Sequence, residues 1–321
     1  MRVLVAVLLA ALALWAGYWF VGQRQIETRL VAALERGAGG GLVLKQSGID
    51  VAGFPSRFDL TITEPALSDP ARGWGVSAAF AQVLAMTWKP WHLIGVLPNS
   101  VTLHTPGGEM DLQSTRFLSS LTYGPSADLP FEAAIVEMDA PALLGQGGAI
   151  VGADRLVLAL RREARAEPAY RLGLQIVALA GGAQTVPADA RLDAVIVTTA
   201  PLDRQALTVA PGIAALELSA LSIDWGAIRL TGEGHIAPTD LGDAEGEIAL
   251  NLTGWRDLPP ALSAAGLLPT GQAEALRRAL EGVAQDQGNP EVLTLPLRFK
   301  DGLTLLGGQV LGPAPRLVQR Q

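Results

Sequence analysis

Residues 216–253, LELSALSIDWGAIRLTGEGHIAPTDLGDAEGEIALNLT, alternate apolar and polar side chains with a period of two. Leu216 and Leu218 share one face, and Leu221, Ile223 and Trp225 continue in the opposite phase. A one-residue slip turns every later side chain over, so a β-bulge is predicted near Ala220. Gly226 turns the chain into Ile228, Leu230 and Ile236, which alternate with Arg229, Thr231, Glu233 and His235. Pro238 to Asp243 is turn chemistry, and Ile248, Leu250 and Leu252 then alternate with Glu247, Asn251 and Thr253. Strands with one greasy and one wetter face are those of antiparallel sheets.

The same rhythm extends upstream. Phe58, Leu60 and Ile62 alternate with Arg57, Asp59, Thr61 and Thr63; Leu156, Leu158 and Leu160 lie opposite Arg155 and Arg161; Tyr170, Leu172, Leu174 and Ile176 alternate with Arg171 and Gln175. Downstream, two helices interrupt the sheet. Trp255, Leu258 and Leu262 form one stripe, with the helix starting at Pro259-Pro260. Thr270 is the predicted N-cap of a second helix, whose apolar face is Ala273, Leu276, Leu280 and Val283 and whose end is Gly288-Asn289-Pro290. A hairpin, 295–299 with 303–305, turns at Asp301-Gly302. The predicted fold is mainly β: an extended, curved antiparallel sheet, an open half-barrel or sandwich-like, with helices near the C-terminus. A large sheet of this kind curls, and its concave apolar face must be covered by helices, a second sheet or a ligand.

At the other end, Val3 to Val21 (VLVAVLLAALALWAGYWFV) carries no charge. As a helix it reaches about 28 Å, close to the roughly 30 Å hydrocarbon core of a bilayer. Trp15, Tyr18, Trp19 and Phe20 gather where an interfacial aromatic belt belongs. A cleaved signal peptide is the rival, since Ala11, Ala13 and Ala16 supply small residues; the apolar run continues through bulky aromatics beyond them, which favours an uncleaved transmembrane helix. Residues 23–36 read as a helix leaving the membrane, with Ile26, Leu30 and Leu34 on one stripe, and Gly37, Gly39, Gly40 and Gly41 as a joint. That glycine cluster lacks the Lys-Ser/Thr of a phosphate loop. The expected organisation is an anchor at 1–22, a juxtamembrane helix and joint at 23–41 and a β-rich body at 42–321, with halves at about 42–145 and 146–321 as an open alternative. Arg2 precedes the span and Arg24, Arg29 and Arg36 follow it, so charge counting does not itself place the body outside.

With 321 residues and 49% hydrophobic content, the chain can bury a sizeable core and is not disordered. A formal charge of −7 argues against nucleic acid as a partner. The absence of cysteine excludes disulfides, thiolate metal sites, cysteine nucleophiles and a lipoprotein anchor. His92, His104 and His235 are far apart and show no metal-ligand spacing; no GxSxG elbow is present; and among 31 acidic residues chance carboxylate pairs such as Asp50 and Asp59 are plentiful. No catalytic, metal or cofactor residue is assigned, although an envelope-polymer hydrolase stays as a remote alternative.

Two segments stand out as candidate contacts. In Gly53-Phe54-Pro55-Ser56-Arg57-Phe58-Asp59-Leu60, Arg57 and Asp59 share a strand face and could grip a polar head group or a partner; the plainer reading is a turn that sets the strand, with Arg57 paired across to an acidic neighbour. Trp74, Trp88 and Trp91 cluster around Pro90, with Leu93, Ile94, Val96 and Leu97 following, and segment 84–97 is apolar with few charges. They read as a core strand pair, or else as a lip that touches lipid.

Four stretches together resemble domain-of-unknown-function family 2125. They are the 53–60 segment, Gly254-Trp255-Arg256-Asp257-Leu258, Ala265-Gly266-Leu267-Leu268-Pro269, and the closing run Leu295-Pro296-Leu297-Arg298-Phe299-Lys300-Asp301-Gly302 with Gly307 and Leu311-Gly312-Pro313-Ala314-Pro315. The resemblance spans most of the chain in order; Leu306-Gly307-Gly308 departs from an expected Leu-Gly-Pro. It implies an alphaproteobacterial envelope protein, held in the inner membrane by its N-terminus with a periplasmic body, and carries over no catalytic residue. The meander is also distantly similar to AsmA-like proteins, whose sheets curl into apolar grooves for lipids. The expected partners are therefore the inner membrane through residues 3–21, and a lipid or another envelope protein. The leading functional expectation is a binding module for lipid or another apolar envelope component, and the second a structural or assembly partner.

Overall fold

The computed structural model describes residues 2–35, 43–145, 148–181, 186–207, 209–288, 290–306 and 309–317. The glycine joint at 37–41 and the Gly307-Gly308 departure lie outside the described residues. The fold is mainly β, with an N-terminal apolar helix and further helices near the C-terminus, as the alternation predicts. It divides into two compact units: Met1–Tyr123 with Leu143–Gly148, and Gly124–Ala142 with Ala149–Gln321.

The first unit opens with α1 (Arg2–Glu35), which runs without a break from the apolar stretch into the charged one. Its ten following strands are β1 (Val43–Lys45), β2 (Gly48–Ala52), β3 (Arg57–Thr63), β4 (Ala66–Asp69), β5 (Trp74–Ala78), β6 (Phe80–Met86), β7 (Lys89–Val96), β8 (Ser100–Thr105), β9 (Gly108–Gln113) and β10 (Arg116–Tyr123). They pair antiparallel in two sets, β1-β4-β5-β8-β9 and β2-β3-β6-β7-β10. Successive members of the two sets are halves of long strands broken at 46–47, 64–65, 79, 97–99 and 114–115. The breaks line up across the unit and form a crease. Ser47 N–H donates to Thr63 O (3.0 Å), Glu64 N–H to Ala79 O (3.0 Å), Ala78 N–H to Pro65 O (3.1 Å) and Ser114 N–H to Asn99 O (2.8 Å), so the bend costs few backbone bonds. Bends of this kind are how strands pass from one sheet to another at a corner.

After β10 come β11 (Phe131–Asp139), β12 (Ala142–Gly145), β13 (Gly148–Gly152), β14 (Arg155–Arg162), β15 (Ala169–Gly181), β16 (Ala188–Thr198), β17 (Ile213–Trp225), β18 (Ile228–Pro238), β19 (Ala244–Thr253), α2 (Leu258–Ala264), α3 (Thr270–Asp286), β20 (Val292–Lys300), β21 (Leu303–Leu306) and β22 (Gln309–Pro313). In the second unit β11, β14–β19 and β20–β22 form an antiparallel meander in which each strand pairs with the next. The register slips between Leu218 and Leu221, which is the bulge the phase change predicts. Asp301 (φ 54°) and Gly302 (φ 73°) both take the left-handed conformation that a two-residue hairpin turn demands.

Helices α2 and α3 cover one part of the meander's apolar face. Ile228, Leu252, Trp255, Leu280, Ala284, Leu293 and Leu295 form a buried cluster there. Pro259 sits in the first turn of α2, as expected. Helix α3 starts one residue earlier than its predicted cap allows: Thr270 is its first helical residue and Pro269 holds the flanking position with φ −58° and ψ 145°. Proline fixes that φ already, which leaves the capping role to backbone geometry. A second cluster, Ile236, Ala244, Phe299 and Ala314, sits under the C-terminal tail.

Candidate functional site: an aromatic clasp beside an apolar groove

The C-terminal part of the apolar helix lies on the first unit's inner strands. Trp19 is 4% exposed and stacks on Phe58, with ring centroids 5.9 Å apart and planes at 15°. Phe54 meets Trp19 edge-on at 5.4 Å and stacks on Phe20 at 5.7 Å. Gly22 permits this approach, because a Cβ there would fall 2.8 Å from the Phe58 ring. Further along α1, Ile26 packs against the cluster of Trp19, Val51, Phe58 and Leu60. Leu30 and Leu34, placed on the same stripe by sequence, have side chains outside the described residues.

Polar donors of the helix fasten the two turns below it. Trp15 Nε1 donates to Pro55 O (2.9 Å), Trp19 Nε1 to Arg57 O (2.7 Å) and the Tyr18 hydroxyl to Thr87 O (3.0 Å). Thr87 in turn donates through N–H and Oγ to Ser56 O, both at 3.1 Å, and Arg57 N–H donates to Gly53 O at 2.9 Å. The 53–60 segment is therefore the receptor for the helix. Gly53 has φ 101°, and a Cβ on it would lie 2.9 Å from Arg57 O, so the tight turn requires glycine.

Alternation along β3 sends Phe58 and Leu60 to the helix and Arg57 and Asp59 to the other face. There Arg57 Nη2 and Asp59 Oδ2 pair at 2.9 Å, along one strand and not across to a neighbour. Asp59 Oδ1 is buried and has no hydrogen-bond partner among the described residues. Beside the pair lies a groove of about 240 Å³ with an apolar floor of Leu84, Met86 and Ile94 and a rim of Arg57, Lys89 and His92. The register builds it: Arg57 faces Met86, Asp59 faces Leu84, and Leu84 faces Ile94.

Of the residues singled out from sequence, Arg57, Asp59 and Trp88 come together at this end of the first unit. Trp88 occupies the β6–β7 turn and is 59% exposed. Trp91 alternates to the face opposite His92 and Ile94. Trp74 begins the long strand that Met86 ends, so it is separated from Trp88 by the length of β5 and β6. Sequence reading missed the docking of Trp15, Tyr18 and Trp19; it marked 84–97 as apolar, but not that Leu84 and Ile94 face each other beside Arg57 and Asp59. The available signal was the uncharged run 83–88 opposite the uncharged run 51–56.

The structure does assemble one arrangement with a catalytic look. Ser77 Oγ lies 2.8 Å from His104 Nε2, and His104 Nδ1 lies 3.1 Å from Glu109 Oε1. These are cross-strand neighbours on β5, β8 and β9. Glu109 is 73% exposed in its side chain, so water competes for the contact that would orient the imidazole. The N–H after the serine, that of Ala78, is spent on Pro65 O and cannot stabilise an oxyanion. Geometry thus gives a hydrogen-bonded surface chain without the machinery of acyl transfer. Among the described residues, no group of three or more His, Asp or Glu is placed to hold a metal ion.

In the second unit a shallow depression of about 530 Å³ lies over β14–β17, lined by Arg171, Arg191 and Asp193 among small residues. Ion pairs tie several of the charges in and around it. Arg165 pairs with Glu163 (3.2 Å) and Glu217 (3.0 Å), and Arg171 with Glu163 (2.8 Å) and Asp193 (3.4 Å). Glu217 holds the Arg165 guanidinium more firmly protonated than usual. Such a ladder ties strands together.

The family model described as "Uncharacterized protein conserved in bacteria", domain-of-unknown-function family 2125, matches residues 19–315. The chain belongs to this family. The family match begins at Trp19, the residue buried in the clasp, and so takes in the helix end as well as both units. No curated protein and no solved structure matches the chain. The helix Val3–Thr28 is long and apolar enough to cross a membrane, as an anchor or a signal sequence would be.

Proposed function

We propose that this family member is an inner-membrane-anchored binding module, with its body on the periplasmic side, that holds a lipid or another apolar envelope component against the inner strands of its first unit. The observation that carries the reading is the groove over Leu84, Met86 and Ile94, open on the sheet face opposite the one that packs a helix of membrane-spanning length. Met86 is 41% and Ile94 40% exposed, and with Leu84 they form one contiguous apolar patch on a sheet face. Arg57, Lys89 and His92 at the rim suit the phosphate or carboxylate of an anionic lipid. Full chain purified in detergent and extracted for mass spectrometry should carry a defined lipid, and Ile94→Glu should lose it while keeping its fold. Equal, nonselective lipid in both proteins would sink the reading.

A structural or assembly role is the second reading, favoured by β22. Among the described residues it pairs only with β21, and Val310 and Leu311 are 60% and 62% exposed, so an edge is open to strand addition.

A further inference from the structure

The clasp fixes where the bilayer must lie on the body. Residues 3–14 of α1 project past the two turns with nothing packed on them: Leu4 is 67%, Leu12 64% and Leu14 75% exposed. As helix that stretch reaches about 18 Å, well short of the roughly 30 Å hydrocarbon core. The remainder of the span has to come from residues 15–21, and those are the residues fastened to Pro55, Arg57 and Thr87. A helix that crosses the bilayer therefore carries the β2–β3 and β6–β7 turns down with it.

We propose that these two turns are a built membrane-insertion surface, seated at the headgroup–acyl boundary of the bilayer that receives α1, with Phe54, Met86 and Trp88 as the inserted side chains. Three further observations support that occupant. Phe54 is 52% and Trp88 59% exposed at the tips, although both belong to a unit with a helix available to cover them. No charge occurs from Val51 to Ser56 or from Val83 to Trp88, and Arg57 and Lys89 follow immediately, which is the order of aromatic tip and cationic collar found at membrane interfaces. Much of the backbone is already satisfied, as a low-dielectric boundary favours: the carbonyls of Gly53, Pro55, Ser56, Arg57 and Thr87 accept hydrogen bonds from within the unit, and Pro55 has no N–H to satisfy. Ordinary surface turns leave such groups to solvent. The surface needs α1 in a bilayer; it shares Met86 with the groove, whereas Phe54 and Trp88 lie outside the groove lining and do not depend on what fills it.

The absence of native cysteine makes the test direct. Full chain carrying a single spin-labelled cysteine at Phe54→Cys, Trp88→Cys, Leu8→Cys or Glu109→Cys is reconstituted into phosphatidylcholine–phosphatidylglycerol vesicles. Collisions with oxygen and with an aqueous nickel chelate are then compared. Labels at 54, 88 and 8 are expected to favour oxygen, and the label at 109 to favour nickel. Should Trp88→Cys fail to give the β-sheet circular dichroism of the parent, the label at 54, which lies outside the groove, decides alone. Labels at 54 and 88 that behave like 109, with 8 in lipid, overturn the inference, and so does a label at 8 that remains in water. Loss of groove lipid in Ile94→Glu with the turns still inserted would leave this surface standing, so the two proposals fail separately.

Discussion

Asp69 shows how much of the first unit's stability can rest on one carboxylate. It closes β4 with 1% of its surface exposed, and Oδ1 accepts N–H from Ala71 (3.0 Å) and Arg72 (3.1 Å) while Oδ2 pairs with Arg72 Nη1 (2.8 Å). The hydrogen bond from Arg72 is the main reason its carboxyl is held below the ordinary 3.8. A lowered folded-state value means the stabilisation is complete above the unfolded carboxyl's pKa and is lost as pH falls through the folded one. Asp69→Asn should therefore melt lower than the parent at neutral pH, and the gap should close on acidification below about pH 4. Thermal unfolding followed by circular dichroism between neutral and strongly acidic pH checks this. A gap that stays constant with pH would assign the effect to packing alone. The same scale explains Gly246, where a φ of 139° and a Cβ that would fall 2.2 Å from His235 O leave room for no side chain between β18 and β19.

At the scale of elements, the decisive contact is α1 on β2 and β3. Trp19 joins Phe54, Phe58 and the carbonyl of Arg57, so Trp19→Ala removes ring packing and an indole donor together. A fully buried aromatic cut to alanine costs about 3–5 kcal/mol, whereas Phe20→Ala, at 58% exposed, should cost little. Denaturant unfolding of the two variants in detergent should separate them by most of that amount; equal midpoints would mean the clasp does not hold in solution. Strand periodicity, the bulge after Leu218 and the Asp301-Gly302 hairpin were all legible in the sequence, because each is decided by local alternation or by residues that tolerate positive φ. The crease was not. Breaks at Glu64-Pro65 and Leu97-Pro98-Asn99 read as ordinary turns, since only the pairing of distant strands reveals that they line up. Nor was the clasp: Trp15, Tyr18 and Trp19 satisfy an interfacial belt as well as they satisfy Phe58, and sequence alone cannot tell a lipid neighbour from a protein one. Arg57, Asp59 and Trp88 stand out in the sequence because the 53–60 segment and the tryptophan run are distinctive, and Ile94 lies in the apolar segment 84–97; that Leu84 faces both Asp59 and Ile94 is set by pairing between strands, which local sequence does not display.

For the whole molecule, a formal charge of −7 means that general electrostatics repels the chain from an anionic bilayer. On the proposed membrane-bound reading, attachment comes from apolar contact, which α1 would supply while also completing the first unit's packing. Without residues 1–22, Phe58 (6% exposed) and Val51 (3% exposed) lose their cover, and the carbonyls of Pro55, Arg57 and Thr87 lose their donors. Each buried apolar side chain returned to water forfeits roughly 1.5–3 kcal/mol. A chain beginning at residue 23 should therefore lose or sharply lower the first unit's unfolding transition and associate through the bared face. The second unit, whose core of Leu252, Trp255, Leu280 and Leu293 owes nothing to α1, should melt as before. Intact mass of protein taken from membranes should include residues 1–22. A monodisperse 23–321 chain with both transitions unchanged would show that the helix is a leader and that the clasp adds nothing to the fold.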